Sequence, residues 1–355
     1  MLGKFFGGEA VMKILRKILQ PAKMLFSMAC VFGSFLLGWC SFTKMKAYMY
    51  ERVREYYRSY LRKKGKLNIT TYNGKRILTL DEANQVIADA IKAGKPFMAA
   101  RYGSELRAVW RTRDDGRGFI LPIRKILKSV CSHTGFFPED KKALIKFSEV
   151  MKWASPYVDL IGVFHQLMEE YSIRTYCNNP QYTLLGYLEP YFSNNPWSAA
   201  LEGKKVVVIH PFDKTIQSQY KKRELLFPGT NILPEFELRT VRAVQTLADQ
   251  TDERFVNWFE ALDWMFNEAM KEDFDVAIIG CGAYGFPLAA KIKQAGKISI
   301  HLGGGTQLLF GIKGRRWEVE QASKFAKLLD NPAWVRPGED EKPKGAEKVE
   351  EACYW

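Results

Sequence analysis

The stretch "DVAIIGCGAYGFPLAAKIKQAG", residues 275–296, constrains this chain more than any other. Four apolar residues, Val276 to Ile279, run straight into Gly280-Cys281-Gly282-Ala283-Tyr284-Gly285, which has the spacing G-x-G-x-x-G. Residues 286–295 then read as a helix, and "KISIHL", 297–302, as the next strand. A strand that is apolar on both faces and enters a helix through a glycine turn belongs to a parallel sheet covered by helices. Glycines at this spacing let the backbone turn tightly and approach a phosphate, and the helix N-terminus behind them offers free N–H groups.

The rest of the chain repeats this grammar. Thr79-Leu80-Asp81-Glu82 is a capping box, Ala83, Val86, Ile87, Ala90 and Ile91 follow at helical spacing, and Gly94 can end the helix. "KPFMAARYG" reads as a short buried strand ending at Gly103, and "KKVVVIH", 204–210, as another. Residues 138–153 and 155–170 read as helices, and 252–272 as a long helix whose aromatic stripe is core packing. The expected fold is α/β: a Rossmann-like, mostly parallel sheet with helices on both faces, plus N-terminal membrane-associated helices. In such sheets ligands bind at the carboxyl ends of strands. The residues that matter most are therefore Arg101 to Glu105, His210 to Asp213, Gly280 to Gly285 and His301 to Gln307.

Residues 24–42, "MLFSMACVFGSFLLGWCSF", carry no charge and are close to the minimum length of a spanning helix. Lys13, Arg16, Lys17 and Lys23 precede them, and a denser run from Lys44 to Lys66 follows. That asymmetry would leave the main body on the cytoplasmic face of the membrane. "KAYMYERVREYYRSYLRKK" interleaves aromatics with cations, as a helix lying on an anionic membrane surface does. A buried hairpin or an oligomer contact is the alternative. Three regions result: a basic anchor segment 1–66, a body 67–336 and a polar tail 337–355, expected to be disordered apart from its aromatic end.

The net charge of +14 suits an anionic partner, but no zinc-finger or RNP-type motif accompanies it, so nucleic acid is not expected. Six scattered cysteines without a C-x-x-C pair make neither a disulfide framework nor a zinc site, and four histidines argue against a multi-His metal centre.

A dinucleotide site should show an Asp or Glu at the end of the strand after the glycine turn. That position holds His301-Leu302-Gly303-Gly304-Gly305, without a carboxylate. A phosphate-bearing ligand remains the expectation, with a purely structural turn as the alternative.

Five segments, "ARYGSELRAV", "VVVIHPFDKTIQSQYKKRELLF", "LPEFELRTVRAVQTLA", "IIGCGAYGFPLAAKIKQAGK" and "IHLGGGTQLLFGIKGRRW", occur in this order. Together they resemble the bacterial GT-D fold glycosyltransferases, over roughly residues 70–320. The resemblance implies transfer of a hexose-type sugar from a nucleotide-sugar, commonly a UDP-sugar, during assembly of surface polysaccharides and glycoproteins. It also implies a Mn²⁺- or Mg²⁺-type ion at an Asp-x-Glu motif after an Arg-aromatic-Gly stretch. Here Glu105 matches the glutamate and the aspartate is absent, which puts metal dependence in question.

Glycosyl transfer needs stabilisation of a departing diphosphate and a base for the acceptor hydroxyl. Arg101, Lys313, Arg315 and Arg316 are the candidate cations, with a solvated basic loop as the alternative for the last three. Glu105, Asp213 and His210 are the candidate bases, and Glu105 the candidate metal ligand. Gly103, Ser104, Gly280, Gly282, Tyr284, Gly285, His301, Gly303, Gly304 and Gln307 are expected to line the donor site, with Tyr284 stacking on or hydrogen-bonding the ligand. A lipid-linked or polysaccharide acceptor would give the N-terminal anchor its purpose. The rivals are an NAD(P)-dependent oxidoreductase or sugar-nucleotide-modifying enzyme on the same turn, and a membrane-attached binding protein with a degenerate site.

Overall fold

The computed structural model describes residues 8–246, 252–342 and 354. Helices α1 (Gly8–Leu36) and α2 (Phe42–Lys63) come first, then β1 (Thr71–Tyr72), β2 (Lys75–Leu78), α3 (Leu80–Ala93) and β3 (Phe97–Ala100). Three helices follow, α4 (Leu106–Arg111), α5 (Arg124–Thr134) and α6 (Lys141–Ala154), before β4 (Leu160–Val163), α7 (Glu169–Tyr176) and β5 (Gln181–Leu184). The second half runs β6 (Lys205–His210), α8 (Asp213–Tyr220), α9 (Arg223–Leu226), β7 (Glu237–Arg242), α10 (Trp258–Met270) and β8 (Val276–Ile279). It ends with α11 (Gly285–Gln294), β9 (Ile298–His301), α12 (Gly305–Leu309) and α13 (Ala322–Leu329).

The strands form one sheet in the order β1-β2-β5-β4-β3-β9-β8-β6-β7. All pairings are parallel except β1 with β2. Alternate residues of one strand enter two different cores: Ala277 and Ile279 point to one face, Val276 and Ile278 to the other. Helices α4, α5, α6, α10 and α11 contribute to the first core, and α3, α8, α12 and α13 to the second. Both faces are dry, so the expected mostly parallel, doubly covered sheet is what forms. The capping box is present, with Thr79 accepting from Glu82 N and Gly94 left-handed at φ +64°.

Residues 155–170 are not one helix as expected. They hold a 3-10 turn (Ser155–Tyr157), strand β4 and the start of α7. "LIGV" is only four residues long, too short for periodicity to distinguish a buried strand from a helical turn.

The charge-free run 24–42 is not one helix either. Gly38 is left-handed at φ +69°. Trp39 N–H donates to Ser34 O at 2.8 Å and Gly38 N–H to Phe35 O at 2.9 Å, a Schellman stop. Ser41 then caps α2, accepting from Lys44 N. Among the described residues no helix is long and apolar enough to cross a membrane.

The N-terminal segment also packs on the body well before residue 67. Ser34 Oγ donates to the Ile120 carbonyl at 2.5 Å, and Tyr48 packs on Trp110 with ring centres 5.3 Å apart. Lys44 is fully buried; its ammonium donates to Thr112 O at 3.0 Å and pairs with Asp114. A buried ammonium needs such partners to offset its lost hydration. Glu51 accepts from Met168 N and Tyr171 N, tying α2 to the start of α7. The outer surface of the two helices is different: Phe26 is 70 % exposed, and Leu25, Leu36, Leu37, Phe42, Tyr50, Tyr56 and Tyr57 are also exposed.

The tail expected to be disordered from residue 337 opens with a short 3-10 turn, Glu339–Glu341. Glu341 is buried and accepts from Lys214 N and Thr215 N at the start of α8. Most of the remaining tail lies outside the described residues.

Candidate active site

A cavity of about 1200 Å³ opens at the carboxyl ends of the parallel strands. Turns after seven strands reach it, among them Arg101–Glu105 after β3, Gln166 after β4, Glu189 after β5 and Gly303–Gly305 after β9. This is where an open α/β sheet places its ligand, beside a reversal in strand order. Here β3 lies between β4 and β9, and β8 sits between β9 and β6.

The glycine turn after β8 borders this cavity, but most of its glycines serve packing. A Cβ on Gly280 would stand 2.6 Å from the His210 ring and 2.7 Å from both the Gly303 carbonyl oxygen and Thr306 Oγ1. A Cβ on Gly285 would collide with the His301 ring. The absent side chains therefore let the ends of β6, β8 and β9 close on one another. Gly282, at φ +57°, is the one with room beside it; the nearest atom to a built Cβ is Thr134 O at 3.4 Å.

Tyr284 is not available to stack on a ligand. Its ring lies 4.8 Å from that of Trp258 at an interplanar angle of 8°, and the residue is 1 % exposed. The hydroxyl is 3.3 Å from Thr246 Oγ1. The turn is held by aromatic packing from α10.

The two histidines are neutral. Burial pushes His210 down to about 3, and burial with the charge of Arg101 does the same to His301. His210 Nδ1 accepts from Phe212 N at 3.1 Å, so in the tautomer this bond assigns the proton sits on Nε2. That removes His210 as a base. Asp213 does not line the cavity; its carboxylate is 3.7 Å from Arg242 Nε. Lys313 is outside it too, with its backbone N–H on Val335 O.

What remains is a charged trio. The Arg101 side chain has no hydrogen bond or ion pair among the described residues, and its buried Nε has no partner. It lies beside left-handed Gly303; a Cβ there would be 3.2 Å from Arg101 Nη1. Glu105 is 4 % exposed, and its Oε1 accepts from Gly103 N at 2.5 Å. Glu189 is the second carboxylate, paired with Lys324 at 3.4 Å. Burial raises the pKa of both acids, and Arg101 is near enough to both to oppose the shift. Gln166 fixes the Arg101–Glu105 turn by donating to Tyr102 O at 3.3 Å and Gly103 O at 3.0 Å. Ser104 is exposed on the same turn.

The lining also carries Arg315, Arg316 and Trp317, together with the fully buried Gln307. Gln307 Nε2 donates to Ile312 O, Lys313 O and Tyr354 O, while its Oε1 has no partner among the described residues. Tyr354 reaches this lining from the tail. Arg316 Nη1 donates to its hydroxyl at 3.1 Å, and a Cβ on Gly304 would be 2.6 Å from its ring. Of the residues expected from the sequence, Arg101, Gly103, Ser104, Glu105, His210, Gly280, Gly282, Tyr284, His301, Gly303, Gly304, Gln307, Arg315 and Arg316 border one cavity. Glu189, Gln166 and Tyr354 were not foreseen.

No protein-family profile matches the sequence, and neither does any curated protein. Solved structures do resemble the fold. One is the selenomethionine-substituted structure of domain of unknown function 1792, at 12 % identity and a TM-score of 0.38. A second, at 12 % and 0.36, is described in these words: the highly conserved domain of unknown function 1792 has a distinct glycosyltransferase fold. Each likeness covers 71 % of this chain and 83 % of the other. At these scores the likeness bears on no residue's role.

The residues present fit a divalent ion poorly. Hard cations need several oxygen ligands. Glu105 and Glu189 both lie within reach of the Arg101 charge, and no group of three or more His, Cys, Asp or Glu is arranged for a metal among the described residues.

Proposed function

We propose that this chain is a glycosyltransferase that takes a nucleotide-sugar, commonly a UDP-sugar, and passes a hexose-type sugar to a cell-surface polysaccharide or glycoconjugate acceptor at the cytoplasmic membrane face. The observation that supports this most is Arg101: a guanidinium unpaired among the described residues, beside a left-handed glycine at the carboxyl edge of a parallel sheet, with the buried Glu105 and the partly buried Glu189 in reach of its charge.

In the reaction the bond from the anomeric carbon to the diphosphate oxygen breaks and a bond to the acceptor oxygen forms. Negative charge grows on the diphosphate, and Arg101, Arg315 and Arg316 in the cavity lining are the cations that would meet it. The acceptor hydroxyl loses its proton to a carboxylate. Glu105 is the first choice and Glu189 the second; a carboxylate with raised pKa is the stronger base once ionised. Membrane attachment is supported by the exposed aromatics of α1 and α2 and the cations around them.

A nicotinamide enzyme would need a carboxylate at the end of β9 for the ribose, and that place holds neutral His301 and Leu302. Calorimetric titration of the full chain with UDP, UDP-sugars, NAD and NADP, with and without Mn²⁺, tests the choice. UDP-type ligands should bind, and Arg101→Ala should weaken their binding. Binding of NAD but not of UDP-type ligands would sink the reading, and donor binding without turnover on any membrane acceptor would favour the degenerate binding protein.

A further inference from the structure

The end of the cavity nearest the N-terminal helices has its own chemistry. Helix α2 contributes Arg52 and Glu55 to the wall, and α4 contributes Arg107, Trp110 and Arg111. The Arg111 guanidinium lies 4.0 Å over the Trp110 ring and donates from Nη1 to Arg107 O at 3.1 Å. Among the described residues the acid at this end, Glu55, is taken by Arg52 at 2.8 Å, and neither Arg107 nor Arg111 has an ion pair. Burial, and then the charges of Arg107 and Arg52, press the Arg111 pKa down to about 10. Trp110 is 1 % exposed, and its Nε1 has no hydrogen-bond partner among the described residues. Three arginines facing one space with a single carboxylate among them, beside an unused indole donor, make a site for a multiply charged anion.

The outward surface of the same helix explains where that anion comes from. Tyr50, Val53, Tyr57 and Tyr60 follow one another at helical spacing and are all more than half exposed, as is Tyr56. Lys46, Arg62, Lys63 and Lys64 lie along the helix, and α1 adds exposed Leu25, Phe26, Leu36 and Leu37. Aromatic and aliphatic side chains interleaved with cations match the boundary of an anionic bilayer. One helix thus presents lipid-compatible residues outside and phosphate-compatible residues inside.

We infer that the α2–α4 end of the cavity binds the phosphate or diphosphate of an acceptor carried on a membrane lipid, with Arg107 and Arg111 on its oxygens. This rests on the glycosyltransferase reading for the word acceptor; the binding itself can be measured without it.

The test uses the full chain and phosphatidylcholine–phosphatidylglycerol vesicles with or without geranylgeranyl diphosphate. Co-sedimentation should be about tenfold tighter or more when the diphosphate lipid is present, and Arg107→Ala should remove that gain. Arg107 is exposed, so this variant should keep its fold, which a thermal melt checks. Arg111→Ala should behave the same way if its melt is intact. Replacing Tyr56 and Tyr57 together by Ser should weaken binding to both kinds of vesicle. No gain from the diphosphate lipid, or a gain that survives Arg107→Ala, overturns the inference. So does inorganic pyrophosphate binding as tightly without vesicles as the lipid does with them, because the source would then be soluble. UDP calorimetry on the same samples reports on the donor end separately, so failure at one end is not mistaken for failure at the other.

Discussion

The turns after β8 and β3 stand at the same sheet edge and are built on opposite terms. After β8 the distinctive residues are absorbed by the protein: Gly280 and Gly285 admit two histidine rings, and Tyr284 is stacked on Trp258. After β3 they are left over: the Arg101 guanidinium has no partner among the described residues, and Glu105 is a buried carboxyl that accepts from the Gly103 N–H. The turn with the recognisable spacing is therefore mainly a packing device, and the turn without a complete motif holds the spare chemistry. A glycine pattern identifies where backbones approach; unpaired charge identifies where a ligand is needed.

Mutations should separate the two turns. Tyr284→Ala should cost about 3 to 5 kcal/mol in chemical denaturation, because it opens a hole beside Trp258. Tyr284→Phe should bind UDP as the parent does. A Tyr284→Ala protein with parental stability but lost donor binding would break the comparison. Arg101→Ala should do the reverse, lowering transfer by about 10²- to 10³-fold with a melt close to that of the parent. Gly280→Ala should destabilise by about 1 to 3 kcal/mol, since the His210 ring and the Gly303 carbonyl must move. Gly282→Ala, with space around it but φ +57°, should cost less, about 1 kcal/mol.

A separate effect concerns pH. Glu169 accepts from Phe164 N, His165 N and Tyr72 OH, and so shapes the loop that carries Gln166. Burial raises its pKa from 4.5 to about 7. A raised carboxyl contributes stability below its unfolded value, and that contribution fades as pH rises from about 4.5 through 7. Denaturation midpoints should fall over this window, and Glu169→Gln should flatten the fall. Part of the slope should remain, because Glu51 is raised to about 7 in the same neighbourhood. An unchanged slope in Glu169→Gln would show that the carboxyl titrates normally.

Central strands with long apolar runs were legible in the sequence: β3, β6, β8 and β9 fall where they were read. Strand β4 is as short as β3, β8 and β9 but lacks the glycine turn that follows each of those, and β7, "ELRTVR", was hidden by the polar residues an edge strand can carry. Arg101 and Glu105 were found because they follow a readable strand. Glu189 was not, because β5, which brings it to the cavity, gave no signal of its own. Nor could the sequence tell that Lys44 would be buried against Thr112 and Asp114, 68 and 70 residues away. Its charge argued for a surface, and only long-range pairing reverses that.

Glu51 joins the outer helices to the site through very few steps. It holds Met168 N and Tyr171 N, and the loop that ends at Met168 sets Gln166 on the carbonyls of Tyr102 and Gly103. Whatever steadies α2 from outside thus steadies the turn that carries Arg101 and Glu105. Thermodynamic reciprocity then fixes a relation between the two ends: the factor by which a surface under α2 tightens a ligand at Gly103 equals the factor by which that ligand tightens the hold on the surface. Retention at the surface and occupancy of the cavity would rise and fall together.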